Sequence, residues 1–568
     1  MKSYLLDNTK VLDLRKESKL SVDDAKLIDR IEPGVRKEYN GLIEQLISRN
    51  KLISTGLLLS VTCRNTISSS VLDTLCRVAL LEEKLNNNDI PEIVYVDDSA
   101  TEELVRGVLV KYGQYDNIIV DIAHHFNMPK HIVTNILKTI YLVVNDWFWS
   151  RIFRLKNRPT GSITYIDNFL FVDSFKNGQP FYDRYYTGHD EFLTELEKQK
   201  EWFAPTLVGL KYPSDYLKLG KGIRKSKSNF LVQEAWLTIS DYLYSLIYAF
   251  YLPFKVRVYP QFRGYKVECL LSTEIMKDIA SPALMKALYR YRFIRRLKKE
   301  KVRICGAIDW NENQIIDRAM NMGFKKFFPE LVVNGYQGFF VLEQYASLQP
   351  TCYEKELGTI PDCIYVVSDY CKSRMLEVCS KLNVKVASAF RFSHLFSMQD
   401  HRSEDNPIIL VALPNMIDEA KPIVNAAINL ASALHSNVTF ILKHHPGCTK
   451  EILQKHIPEI TNSVFKYTDE MMPALLSKAS VVISSASSVC IESVAVGIPT
   501  AIHGSRYGIT LNPIPSYVSD KIWTVFYTSE QLEKFVRSAL TLKERNCISE
   551  KLFHPIDELG TRSLFKFK

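Results

Sequence analysis

A chain of 568 residues is too long for one hydrophobic core and is expected to divide into about two to four domains. Its 46% hydrophobic and 24% charged content exclude a disordered chain, and a net charge of +9 over this length does not by itself make a nucleic-acid binder. Eleven cysteines form no CxxC pair and Met1 to Leu20 lacks a continuous apolar core, so a reducing cytoplasm without disulfides is expected.

In chain order, "GLLLSVTC" (56–63), "EIVYVD" (92–97) and "NIIVDI" (117–122) read as buried parallel strands with helical stretches between them. At the first strand end stand Arg64 and Asn65. An arginine there can meet a carboxylate or phosphate bidentately, and a capped helix start explains the same residues. The middle, about 130–300, reads as mostly helical and aromatic, interrupted by "SITYIDNFLFVDSF" (162–175). Segments 135–155 and 235–254 are apolar enough to compare with membrane spans. Neither offers about 18 clean apolar residues, so buried helices are expected.

Two basic clusters stand out, "KLGKGIRKSKSN" (218–229) and "LMKALYRYRFIRRLKKEK" (284–301). In the second, Leu284, Leu288, Tyr291, Ile294 and Leu297 recur at helical spacing. Such a helix can lie on an anionic bilayer or pack its apolar face on the core.

Strand signals return with "VRICGAID" (302–309) and "CIYVVSD" (363–369). The first ends in Asp309, followed by Trp310, Asn311, Glu312, Asn313 and Gln314. Two acids, three amides and an indole in six residues offer a general base or a nucleophile, and a capping box between Asp309 and Glu312 fits the same spacing. "NGYQGF" (334–339) adds Tyr336 and Gln337 to the expected cleft.

A polar linker at 397–406 precedes the clearest alternation in the chain. Strands at 407–413, 438–442, 480–484, 500–504 and 521–527 alternate with helices near 418–434, 449–456, 470–478, 488–496 and 529–540, as in a doubly wound parallel sheet. GxGxxG and GxxxxGK[ST] are both absent, which weighs against a dinucleotide fold or a P-loop. Instead, Ser484, Ser485, Ser487 and Ser488 precede a helix, where free backbone N–H groups favour an anion, and Glu492 one turn later can accept from a ribose diol. The strand at 438–442 runs into Lys443, His444, His445, Pro446 and Gly447.

The pattern Ser488-x3-Glu492-Ser493-x3-Gly497-x-Pro499 resembles the nucleotide-sugar site of GT-B glycosyltransferases. With His445-Pro446 it is similar to bacterial transferases that use CMP-activated acidic sugars, the polysialyltransferases and Kdo transferases. The resemblance covers about 405–540. It implies an α/β chain with two Rossmann-like doubly wound domains facing a cleft: residues 1–396 on the acceptor side, with a helical insertion at about 130–300, and 407–568 holding the nucleotide sugar. It implies that His445, Pro446, Ser484, Ser485, Ser487 and Ser488 hold cytidine monophosphate, with His444 in support and Glu492 on the ribose. Asp309 and Glu312 would carry the chemistry, and Arg64, Asn65, Asn313, Gln314, Tyr336 and Gln337 would line the acceptor side.

The implied activity is transfer of an acidic sugar such as Kdo or a sialic-acid-like sugar into a capsule or lipopolysaccharide glycan. Related poly(glycerol phosphate) transferases carry a KHHPG-like stretch and use CDP-glycerol. A CDP-alditol phosphotransferase, a UDP-sugar transferase and a non-catalytic nucleotide-binding protein therefore stay open. No HxxxH, HExxH or cysteine cluster suggests a metal, and the Asp97-Asp98 pair of "VDDS" is a poor DxD motif, so no metal and no cofactor beyond the donor are expected. The expected partners are the nucleotide sugar, a glycan or lipid-linked acceptor and the inner face of the cytoplasmic membrane through 284–301, without nucleic acid.

Overall fold

The computed structural model describes residues 10–567 except 123–126, 154–157, 179–180, 211, 404, 435–437, 446 and 543–545. Its strands are β1 (Val11–Asp13), β2 (Ile93–Val96), β3 (Ile119–Ile122), β4 (Ser162–Phe171), β5 (Glu201–Val208), β6 (Asn229–Phe230), β7 (Gln261–Phe262), β8 (Tyr265–Lys266), β9 (Arg303–Trp310), β10 (Val333–Gln337), β11 (Cys363–Val366), β12 (Val384–Val386), β13 (Ile408–Ala412), β14 (Thr439–Lys443), β15 (Phe465–Tyr467), β16 (Val481–Ser484), β17 (Thr500–His503) and β18 (Trp523–Phe526).

Two parallel sheets have the Rossmann-like order. One runs β12-β11-β10-β9-β4-β5-β6 and the other β15-β14-β13-β16-β17-β18. In each the chain winds outward in both directions from a central pair, β4 with β9 and β13 with β16. Loops leaving the carboxyl ends of such a pair splay apart and open a crevice. A third, small parallel sheet, β1-β2-β3, stands before them, and β7 and β8 form a hairpin.

The stretch 56–63 is not a strand. It begins as a short 3-10 turn, Ser54–Leu57, and the Thr62 hydroxyl donates to the Leu57 and Leu59 carbonyls at 3.0 and 2.8 Å. Its leucines are buried all the same, and a short apolar run does not distinguish a strand from a buried turn. The segment 130–300 is more than a helical insertion, because β4, β5 and β6 complete the seven-stranded sheet and β4 pairs directly with β9. The carboxyl-terminal stretch recrosses to that sheet: Ala389 N–H donates to the His554 carbonyl and Asn334 Nδ2 to the Leu564 carbonyl. Residues 407–568 therefore do not all belong to the second sheet.

The basic helix of the sequence, Pro282–Lys299, is a core element. Arg290 donates to Tyr165 Oη at 2.8 Å and the Ala204 carbonyl at 2.9 Å and lies 3.3 Å from Asp167, while Arg292 and Arg296 both pair with Asp241. Buried guanidiniums need such partners to offset their desolvation, and the pairing removes them from any lipid surface. The reverse holds for 135–155 and 235–254, expected to be buried. In the helix Met128–Trp149 Asn135 and Thr139 turn inward, and in Ile239–Tyr251 Asp241 and Ser245 do so together with Tyr242 and Ala249, while large apolar side chains of both helices stay exposed. No helix among the described residues is long and apolar enough to cross a membrane. Cys352 and Cys379 form a disulfide, against the expectation of fully reduced cysteines.

Candidate nucleotide and acceptor site

At the β13/β16 crevice the four serines divide their work. Ser484 is fully buried and its hydroxyl donates to the Ala412 carbonyl at 2.7 Å, so it fastens β16 to β13 and does not meet a ligand. Ser485 donates to Glu419 at 2.9 Å, Ser487 caps the helix Ser488–Ala495 by accepting from Val489 N–H, and Ser488 is exposed. What remains open at the crevice is the exposed Ser488 hydroxyl and the first turn of a helix whose dipole favours an anion.

The neighbouring loop follows β14. Gly447 N–H donates to His445 Nδ1 at 3.0 Å, which leaves the proton on Nε2 as a hydrogen-bond donor. Burial, with the adjacent His444, lowers the His445 affinity for a second proton, so the ring is neutral at pH 7. His444 stacks on Tyr467 and is hydrogen bonded to its hydroxyl at 2.7 Å. Pro446 lies outside the described residues.

At the other crevice the residues after β9 are arranged by strand alternation. Ile166 and Ile308 are in register, so Asp167 and Asp309 follow side by side on neighbouring strands. With Asp317 of the helix Ile315–Phe327 they place three buried carboxylates within 4.8 Å of one another. Among the described residues this is the grouping that could hold a cation, and spacing alone gave no sign of it. Asp309 accepts from Asn321 Nδ2 at 2.9 Å, and Asp317 caps the helix by accepting from Gln314 N–H at 3.0 Å. Burial first, and mutual repulsion second, raise Asp309 and Asp317 well above the ordinary carboxylate range.

Trp310 points to the opposite face from Asp309. Its Nε1 donates to Glu312 at 3.0 Å, and Gln314 Nε2 donates to the other Glu312 oxygen at 2.6 Å. Glu312 is half-buried, and burial raises its proton affinity while Trp310 and Arg391 pull it back. Asp309 is sealed beneath the strand, so the carboxylate able to touch a substrate is Glu312.

Five expected acceptor-side residues are scaffold. Arg64 is 1% exposed, pairs with Glu354 at 2.6 Å and donates to the Ala346 and Gln349 carbonyls. Asn313 donates to the Ser347 carbonyl, the Tyr336 hydroxyl to the Ser388 carbonyl, and Gln337 to the Leu348 carbonyl, all from buried positions. Asn65 joins them by capping the turn at Ile67 and Ser68.

The sequence reading missed Arg391 and His394. Both sit on the 3-10 turn Phe390–Phe396, just before the stretch read as a linker. Arg391 is exposed and lies 5.8 Å over the Trp310 ring, close enough to act on the Glu312 charge, while His394 Nε2 reaches Glu492 at 3.2 Å. One turn of backbone thus joins the Glu312 loop of one sheet to the serine loop of the other. A separate cavity of about 930 Å³, whose lining includes Lys16, Glu17, Lys19, Asp418, Lys421 and Arg506, opens at the carboxyl ends of β17 and β18 and includes none of the residues of this junction.

No family model and no curated protein matches the chain. Similar solved structures include S. aureus MnaA in a co-structure with UDP, at 9% identity and a TM-score of 0.42 over 71% of this chain and 94% of that one. The lipopolysaccharide outer core galactosyltransferase WaaB gives 11% identity and a TM-score of 0.39 over 71% and 97%. A calicheamicin glycosyltransferase gives 10% and 0.36 over 71% and 94%. Identities this low assign no residue and no ligand to this chain.

Proposed function

We propose that the protein is a glycosyltransferase that draws an acidic sugar from a CMP-linked donor for a bacterial surface glycan. The observation that supports this is the junction at Phe390–Phe396. It links the loop of a half-buried carboxylate, Glu312, with two donors and a neighbouring guanidinium, to the helix that carries Glu492 behind the serine loop. In the proposed reaction Glu312 takes the proton of the acceptor hydroxyl and the hydroxyl oxygen bonds to the anomeric carbon. The bond from that carbon to the phosphate oxygen breaks, and its electron pair leaves with CMP. The Ser488 helix terminus and the His445 Nε2–H stabilise the departing phosphate, so no metal is required.

Cytidine is favoured by the His445-Pro446 and serine loops together, and a CDP-alditol donor fits the same two loops. A cytoplasmic enzyme serving a lipid-linked acceptor at the inner membrane face completes the reading. The test is a thermal-shift and calorimetric series with CMP, CDP, UDP and GDP, followed by donor turnover. Selective cytidine binding with turnover supports a transferase, cytidine binding without turnover of any donor supports a binding protein, and no nucleotide binding sinks both.

A further inference from the structure

The helices Met128–Trp149 and Ile239–Tyr251 both turn polar residues inward and leave large apolar side chains exposed. On the first, Asn135 donates to the Lys277 and Ile279 carbonyls and Thr139 to the Ala280 carbonyl, while Leu137, Tyr141 and Phe148 face outward at 63%, 67% and 53% exposure. On the second, Asp241 and Ser245 are buried with Tyr242 and Ala249, while Leu243, Ile247 and Tyr251 are more than half exposed. The two helices are linked through the turn at Ala280. Ala280, which Thr139 bonds, donates in turn to the Ala249 carbonyl, and both helices pack on the Pro282–Lys299 helix. The exposed apolar side chains of both helices thus flank the same core helix, and clustered apolar exposure of this kind marks a contact surface.

The chemistry of the rim identifies the partner. The helix Pro213–Lys225 packs on the end of Met128–Trp149 through a stacked Trp149–Tyr216 pair and presents Lys218, Lys221 and Lys225 to solvent. Arg151 sits over Trp147, and Lys255 over Tyr251. A two-fold contact with a second copy would press this cationic rim against itself. We infer that this surface lies flat on an anionic lipid bilayer, with its aliphatic and aromatic side chains at the level of the headgroups and its lysines on lipid phosphates. The inference goes beyond the transferase reading and does not depend on it.

The full-length protein is sedimented with phosphatidylcholine vesicles with and without phosphatidylglycerol. Binding to the anionic vesicles, weakened by added salt, is the expected result. Leu137→Glu with Ile247→Glu, two exposed positions whose change leaves thermal unfolding unaltered, lowers binding at least about tenfold through lost apolar insertion. Gln at Lys218, Lys221 and Lys225 lowers it on the order of 100-fold on anionic vesicles, at about 1 kcal/mol per cation. Gln at Arg295, Lys298 and Lys299 leaves it unchanged. The inference is overturned if the Glu pair sediments like the parent protein, if only the last set releases the protein, or if the protein ignores vesicles and light scattering shows a dimer that the Glu pair dissociates.

Discussion

His394 Nε2 lies 3.2 Å from Glu492 Oε2, across the boundary between the two Rossmann-like sheets. The glutamate sits one turn into the helix that follows the serine loop, and in the proposed reading its second oxygen accepts from a ligand held at that helix's N-terminus. If that ligand is a ribonucleotide, 2′-deoxy-CMP should bind the protein about tenfold more weakly than CMP, the worth of one hydrogen bond to a charged group. Glu492→Gln should erase most of that preference. Equal affinity of the parent protein for the two nucleotides would remove Glu492 from the site.

Glu312 and Asp309 separate by exposure. Glu312→Gln keeps the hydrogen bond from Trp310 and the overall fold but cannot take a proton, so donor-to-acceptor turnover should fall about 10²- to 10⁴-fold with CMP affinity unchanged. Asp309→Asn, beneath the strand, should retain turnover within about an order of magnitude, since it meets no substrate proton directly. Near-normal turnover in Glu312→Gln would mean the base lies elsewhere in the first lobe.

How much of this was legible in the sequence follows from how local each signal is. Five of the six strands of the second sheet could be read because buried parallel strands are continuous apolar runs bounded by turn residues, whereas β15, three residues at the sheet edge that are not buried, gave no such run. "SITYIDNFLF" showed the same run, yet its partner β9 is distant in sequence, so it read as an interruption and not as a sheet member. Helical periodicity locates an apolar stripe without saying which way it faces. That ambiguity exchanged the roles of Pro282–Lys299, with its internally paired arginines, and Met128–Trp149, with Asn135 and Thr139 inside. Arg391 and His394 carried only a weak signal, two basic side chains beside three phenylalanines ahead of a polar stretch.

Arg64 offers a test in which stability and function part. Glu354 is the carboxylate shared by two buried guanidiniums, Arg64 and Arg318. Burial lowers the Arg64 affinity for its proton to about 10, still fully charged at pH 7. Glu354→Gln leaves both charges uncompensated and should cost about 3–5 kcal/mol of unfolding free energy by denaturant titration. Nucleotide affinity of the folded fraction should be unchanged, whereas a selective loss of substrate binding in a stable Glu354→Gln protein would return Arg64 to the acceptor side.

The three-carboxylate cluster makes a prediction about pH. Asp167 rises from 3.8 to about 6, with burial the first cause and Arg290 opposing it, and Asp309 and Asp317 are raised well above the ordinary carboxylate range, again by burial first. A carboxyl whose folded affinity for protons is raised holds them where the unfolded chain has lost them, so the folded state binds more protons and stability falls with rising pH. The contribution is fully present below about 4 and is lost as pH climbs through about 6 and beyond. Asp183 and Asp278, also raised to about 6 by burial, add to the same slope, so the informative quantity is the difference between parent and variant. Asp309→Asn removes one of the three like charges, still accepts from Asn321 and gains an N–H to offer the remaining carboxylates. At pH 8 it should stabilise the protein by about 1–3 kcal/mol, with little gain at pH 4, and EDTA should leave the parent melting temperature unchanged. Destabilisation by Asp309→Asn at pH 8, together with a fall in the parent melting temperature on EDTA, would show instead that the cluster holds a cation, which would compensate the charges that protons are here assigned to neutralise.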